Sequence, residues 1–329
     1  MSVKKNLIMS FILLLLIIPL IFLKIFYLRD NYFYDIFLGN YIFFIHYLVM
    51  ILFILYFMDR FIEEVPKKMT IIIIILSFIV LGIVGRRNFE NSKIIKKEII
   101  LKKKAHTDKL RIVFISDFHL STTSKKSMFK KSFEKINPLK PDIVLIGGDI
   151  LDYNHAQVKE NYEELVKSLN VKYGIYGVLG NHEYYGGAIE NEKYIESLGI
   201  DVLKDKRIKV LGVNIIGRDD SHNKSRKSLK DLVKGISKKE PIIVVDHNPK
   251  YIDETKSIHG DLHLSGHTHN GQFFPYNLIV NYIFKNGHGY RKFENLHTVV
   301  TAGLGTWQIP YRIGTNGEIN VIDIKFKTD

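Results

Sequence analysis

Five short motifs carry side chains able to hold metal ions and move protons. Asp117 and His119 stand in Ser-Asp-Phe-His, Asp149 ends Gly-Gly-Asp, and Asn181, His182 and Glu183 follow Gly180. Asp246-His247 forms a fourth motif, and His267 and His269 lie in Gly-His-Thr-His. Carboxylate, imidazole and amide oxygen together suit Mn, Fe, Zn or similar ions rather than Ca or Mg alone. The chain has no cysteine, so thiolate ligands and disulfides are excluded. Each motif alone is compatible with an ordinary turn; all five, each directly after an apolar run, point to one shared site.

Those runs read as buried strands over Leu110 to Ser116, Asp142 to Ile146, Ile175 to Leu179, Ile242 to Val245, Asp261 to Leu264 and Thr298 to Thr301. Helical spacing of apolar residues spans Lys125 to Ile136, Gln157 to Leu169 and Ile189 to Leu198. This rhythm predicts an α/β domain whose sheets are covered by helices. Ligands collect at the carboxyl edges of such sheets, so the five motifs can converge. Alternation along an extended segment predicts that Asp117 and His119 grip one ion together, and that His267 and His269 reach into one site.

The order Asp-x-His, Gly-Gly-Asp, Gly-Asn-His-Glu, His, Gly-His-x-His resembles the calcineurin-like metallophosphoesterase superfamily, from about Leu110 to the C-terminus. Gly-His-Thr-His-Asn-Gly-Gln272, with Gly303-Leu-Gly-Thr-Trp-Gln-Ile-Pro310-Tyr-Arg312, is similar to a branch of bacterial membrane-associated phosphodiesterases that includes hydrolases of UDP-2,3-diacylglucosamine. Asn270 departs from that branch, where a second glycine is common. The resemblance implies a four-layer αββα sandwich over residues 110–329 and two divalent ions (Mn, Fe or Zn). Asp117, His119 and His269 would hold the first ion, Asn181, His247 and His267 the second, and Asp149 both, with His182 just outside them.

Two cations about 3.5 to 4 Å apart need a shared anionic ligand and lower the pKa of a bridging water, so hydroxide attack on phosphorus is the expected chemistry. His182 suits protonation of the leaving oxygen, because an imidazole carries a proton near neutrality. Its carboxylate partner is Glu183 or one elsewhere in the chain. Arg218 and Arg312 are candidates for substrate phosphate, since a guanidinium takes two oxygens at once.

Ahead of this domain, no charge falls between Lys5 and Lys24, between Asp35 and Asp59, or between Lys68 and Arg86. A bilayer core needs roughly 20 apolar residues in a helix, so three transmembrane helices are predicted, at about 6–23, 36–58 and 69–85, within an anchor of residues 1–87. The first has the basic start of a signal peptide, but no small-residue cleavage site follows Leu23, and it reads as an uncleaved helix. Residues 88–109 form a basic junction whose Glu98 to Leu101 stretch reads as a first strand. Counting basic residues through Lys104 gives ten against five in favour of a cytoplasmic domain on a multi-pass cell-membrane protein; counted only to Arg87 it is four against five.

The net charge is +13: nine basic and five acidic residues precede Asn88, and 38 and 29 follow. That balance suits membrane lipids or a phosphorylated small-molecule or lipid substrate. No Arg-rich block or aromatic-basic module signals nucleic acid, and no obligate protein partner is evident. The expected function is hydrolysis of a phosphodiester, pyrophosphate or phosphomonoester bond in a lipid-linked or cell-envelope molecule. The alternatives are a membrane scaffold or sensor that only binds phosphate groups, and a nuclease of the same superfamily. Of the other histidines, His46 and His263 read as packed residues, and His155 and His222, which follow Asp149 and Asp219, are placed to approach substrate.

Overall fold

The computed structural model describes residues 32–61 and 66–327. The chain divides after Arg86 into two compact units. In the first, helix α1 spans Tyr32–Phe61, and helix α2, Lys67–Glu90, runs on into the second. Both are long and apolar enough to cross a membrane. On α2, Ile71, Ile72, Ile75, Leu76, Ile79, Val80 and Ile83 form an exposed apolar face, and Ile73, Ile74, Phe78 and Leu81 on the other side make the helix apolar around its circumference. Phe44 of α1 stacks on Phe78 of α2 with ring centroids 4.5 Å apart. The predicted span at about 6–23 lies outside the described residues.

The second unit is a sandwich of two six-stranded sheets. The strands are β1 (Lys93–Leu101), β2 (Lys109–Ile115), β3 (Ile143–Ile146), β4 (Ile175–Gly177), β5 (Asp201–Val202), β6 (Lys206–Val210), β7 (Val213–Gly217), β8 (Ile242–Val245), β9 (Leu262–Ser265), β10 (Gly289–Phe293), β11 (Leu296–Val300) and β12 (Glu318–Phe326). One sheet is ordered β1-β12-β2-β3-β4-β5 and the other β10-β11-β9-β8-β7-β6. β2 to β5 run parallel, as do β7, β8, β9 and β11, while β12 lies antiparallel to β2.

The apolar runs are continuous because both faces of each sheet are covered. Ile112, Phe114, Ile143 and Leu145 meet Ile215, Ile243, Val245 and Leu264 between the sheets. The alternate residues Val113, Ile115, Val144 and Ile146 face helices α3 (Lys126–Glu134), α4 (Glu163–Lys167) and α6 (Ala188–Ser197); α5, Asn181–Gly186, precedes α6. On the far side Ile216, Ile242 and Val244 pack under α7 (Leu229–Leu232), and α8 (Ile252–Ser257) lies against β11. Helix, sheet, sheet and helix make four layers. Phe114 is fully buried between the sheets, and its truncation to alanine costs about 3–5 kcal/mol.

β1 differs from the expected junction. It begins at Lys93, five residues before the predicted strand, and pairs along all nine residues with β12. Only Ile99 and Leu101 of it are buried, because its charged first half is the edge of the sheet, where lysines discourage pairing with another chain. The helix expected over Gln157 to Leu169 is a 3-10 turn at His155–Gln157 followed by the short α4.

Candidate active site

β2, β3 and β4 of one sheet and β8 and β9 of the other end at a common edge, and the five motifs follow those ends. The parallel ladder persists past β2 and β3 in irregular form: Asp117 N–H donates to Gly148 O at 2.9 Å, and His119 N–H to Asp149 O at 3.1 Å. Asp117, His119, Asp149, His267 and His269 all have φ between 49° and 71°. A left-handed backbone at residues with a Cβ costs energy and persists where the surroundings over-determine it, characteristically at functional sites. The side chains therefore converge through kinked backbone and not by strand alternation. His267 and His269 both reach this site, in the two different ligand groups to which the family resemblance assigned them.

Among the described residues three groups of side chains can each hold an ion: Asp117, His119 and His269; His119, Asp149 and His182; and Asp149, His247 and His267. His119 Nε2 and His269 Nε2 are 2.9 Å apart, and His269 Nε2 is 3.6 Å from Asp117 Oδ1. His247 Nε2 lies 3.0 Å from Asp149 Oδ2, 3.1 Å from Asn181 Oδ1 and 3.2 Å from His267 Nδ1. Asp149 Oδ2 is also 3.8 Å from His119 Nε2, so its carboxylate sits between the two halves. Gly180 and Gly266 allow this crowding, since a Cβ at either would collide with the Asp149 or the Asp117 carboxylate.

Hydrogen bonds behind the rings set what they present to the centre. His119 Nδ1 donates to Asp152 Oδ1 at 3.0 Å, and His247 Nδ1 donates to Gly147 O at 2.7 Å. Each ring then turns an Nε2 lone pair inward. Those lone pairs, the Asp117 and Asp149 carboxylates and the Asn181 oxygen are acceptors gathered in one buried space. This donor set fits divalent cations. Protons alone divide unevenly over it: burial pushes Asp117 above the usual carboxylate range and, with His247 beside it, His267 down to about 4. Burial also opposes ionisation of Asp149, but His247, His182 and His119 outweigh it and hold that carboxylate well below its usual range.

The partner of His182 is Asp152, three residues beyond Asp149. His182 Nδ1 is 2.6 Å from Asp152 O and 3.3 Å from its Oδ1. Burial lowers the His182 pKa, but Asp149 and Asp152 reverse that and raise it to about 9, a rise that nearby cations would oppose. Glu183 is occupied elsewhere: its carboxylate accepts from the backbone N–H of Asp149 (3.1 Å), Leu151 (2.8 Å) and Gly180 (2.7 Å), tying two motif loops together. The only sequence signal for Asp152 is its spacing from Asp149.

The C-terminal signature braces the site from behind. Leu304 N–H donates to Ser116 O at 2.8 Å and Gly305 N–H to Asp117 O at 2.9 Å. Gln272 clasps the Trp307 backbone, accepting from its N–H at 3.0 Å and donating to its O at 3.1 Å. Arg312 belongs to this brace and does not turn toward a substrate. It is fully buried, with Nη2 donating to Ala302 O at 2.7 Å and to Gly305 O, and Nη1 to His269 O at 3.4 Å. Arg218 is likewise engaged by protein, 2.8 Å from Glu254 and 3.8 Å from Asp205.

His222 lies at the rim, 5.2 Å from the Tyr185 ring, which is itself 5.2 Å from the His182 ring. His155 instead stacks on Tyr194 at 5.7 Å. His263 is buried between Thr255 Oγ1 (2.7 Å) and Ser265 Oγ (2.8 Å).

A two-sheet sandwich carrying Asp, Asn and His clusters on the shared edge of its sheets defines a class of metal-site hydrolase folds. The chain belongs to the calcineurin-like phosphoesterase family, whose sequence profile matches residues 110–271. An uncharacterized metallophosphoesterase of Aquifex aeolicus is 30% identical over 230 residues, 66% of this chain and 86% of that protein. One of Helicobacter pylori strain J99 is 34% identical over 216 residues, 64% of this chain and 58% of its own length. A transmembrane protein with metallophosphoesterase domain from Danio rerio is 29% identical over 277 residues, 78% of this chain and 63% of that protein. The chain thus spans less than two thirds of the length of these last two relatives.

Proposed function

We propose that the chain is a membrane-anchored, metal-dependent phosphoesterase. The observation that carries the reading is the buried set of inward-facing acceptors on two kinked loop pairs, complete in both halves. In this reading Asp117, His119 and His269 hold one divalent ion, Asn181, His247 and His267 a second, and Asp149 both. Ions bound there supply Lewis acidity toward a phosphoryl group and lower the pKa of water. The chain's own residues do the rest. Asp152 orients His119 and His182 through their Nδ1 atoms, and His182, holding a proton on its other nitrogen, donates it to the leaving oxygen. Glu183 and Arg312 hold the ligand loops in their left-handed conformations.

The two apolar helices and the relative named as a transmembrane protein support the anchor. A phosphodiester, pyrophosphate or phosphomonoester in a lipid-linked or envelope molecule is the substrate class that joins anchor and site. The domain faces the cytoplasm in this reading, on the weight of the basic residues that follow α2. Purified full-length protein should hydrolyse bis-p-nitrophenyl phosphate with manganese stimulation, and Asp149→Asn should abolish turnover. Wild type inactive with every divalent metal, yet binding phosphate ligands tightly, would establish the scaffold alternative; preferential cleavage of DNA or RNA would establish the nuclease.

A further inference from the structure

Helix α9, Tyr276–Ile283, carries no buried residue although six of its eight side chains are apolar or aromatic. Leu278 is 60% exposed, Ile279 50%, Tyr282 91% and Ile283 64%, with Tyr276 and the preceding Phe274 also open to solvent. At helical spacing Tyr276, Leu278, Ile279, Tyr282 and Ile283 share one arc, and Val280 on the opposite side sits against Gly287. Trp307, 46% exposed, is tied to the segment leading into this helix by two hydrogen bonds with the Gln272 side chain. A soluble protein rarely leaves such a contiguous apolar surface in water.

We propose that α9, with Phe274 and Trp307, is an interfacial helix that beds into the headgroup boundary of an anionic lipid bilayer beside the active site. The pattern is that of such helices: a solvent-facing apolar arc of leucine, isoleucine and tyrosine, a nearby tryptophan, and basic residues at one end. Lys285, just beyond the helix, is paired with Asp253 at 2.6 Å, so the basic end is the exposed pair Arg291 and Lys292. Their charge selects an anionic lipid surface as the occupant over an uncharged apolar groove. The helix is coupled to the site through Thr268, which stands between His267 and His269 and donates its hydroxyl to Gly287 O at 2.7 Å. Bedding α9 in the interface would bring the ligand turn to headgroup level, where a phosphorylated lipid presents its phosphate. The inference rests on the membrane-anchored reading above, and its test is built to fail separately.

Trp307 is the chain's single tryptophan, so its emission reports one place. Full-length protein is reconstituted in nanodiscs of phosphatidylcholine and phosphatidylglycerol, with and without a lipid spin-labelled near the headgroup. The spin label should quench most of the Trp307 emission. Leu278→Glu with Ile279→Glu, both at exposed positions that the fold does not need, should remove that quenching while the protein stays in the disc. A second reporter, Tyr282→Trp in a Trp307→Phe background, puts the fluorophore on the helix itself and should be quenched at least as strongly.

Incorporation into discs without quenching at either position overturns the proposal and leaves the anchor intact. Quenching that survives the double substitution overturns it too. So does emission that ignores the spin label but blue-shifts with protein concentration, which would mark the face as an interface between copies of the chain. Protein that does not enter discs, yet is quenched when vesicles of the same lipids are added, fails the anchor reading and sustains this one.

Discussion

Replacing Asp152 with asparagine removes one carboxylate that serves two rings, and the two losses can be separated. Its Oδ1 is 3.3 Å from His182 Nδ1, whose 2.6 Å bond to the Asp152 backbone O survives the substitution, so what His182 loses is the charge beside it. At 3.3 Å an ion pair is worth about 5 kcal/mol at an effective dielectric of 20, the upper end of what a positioned general acid contributes, roughly 10²–10⁴ in rate. Because the carboxylate is partly open to solvent, a fall in kcat of about 10²–10³ is expected for Asp152→Asn with an alkyl leaving group, which needs a proton. With p-nitrophenolate, which leaves unprotonated, the fall should be under about tenfold.

The second loss is the support of His119 at 3.0 Å, and it should weaken metal binding by about 10–100-fold, recoverable at high manganese. The assay is kcat at saturating metal for a bis-p-nitrophenyl and an alkyl phosphodiester, in wild type, Asp152→Asn, His182→Ala and the double variant. Residues in one network are non-additive, so the double variant should match His182→Ala on the alkyl ester. Equal losses on both substrates, or additive losses in the double variant, would refute the assignment of Asp152 as the residue that positions His182.

Other outcomes follow from buried groups outside the ligand set. Arg312→Lys cannot reproduce the fork over Ala302, Gly305 and His269, and should lower stability by about 3 kcal/mol, read as a lowered thermal midpoint of the detergent-solubilised chain. If Arg312 were instead a phosphate-binding group, KM would rise with the midpoint unchanged. His263 is held down to about 3 by burial first and then by Arg218 and Arg226, against 6.5 when unfolded. Between those values only the unfolded chain takes up the proton, so this residue costs nothing above pH 6.5 and stability is lost as the pH falls toward 3. Wild type should therefore lose about 2 kcal/mol more than His263→Gln between pH 7 and pH 5; equal losses would contradict the buried neutral imidazole. Chelation of divalent ions should lower the midpoint of wild type more than that of Asp149→Asn, because ions that bind only the folded state stabilise it.

Much of the site was legible along the chain because its information is local. A buried strand in a sheet covered on both faces is a short unbroken apolar run, and a residue that must kink at its end is announced by the glycines and polar types that follow. Asp117, His119, Asp149, Asn181, His182, His247, His267 and His269 all stand at such places, and long uncharged runs mark α1 and α2 in the same local way. What depended on distant partners was not legible. β1 begins in lysines with no alternation, and becomes a strand only because β12, more than 200 residues later, offers a full edge to pair with.

The same holds within the site. Glu183 and Asp152 are both carboxylates near His182 in sequence or in motif spacing, and only the fold aims one at backbone amides and the other at the two imidazoles. Arg312 has the side chain of a phosphate binder, yet the turn at 302–305 closes over it. His267 and His269 both reach the site as expected, but by left-handed backbone and not by the alternation of an extended strand. Residue type and spacing determined which atoms are present. Their partners were decided by tertiary contacts, because a side chain's direction and its competing hydrogen bonds are set by backbone that arrives from elsewhere in the chain.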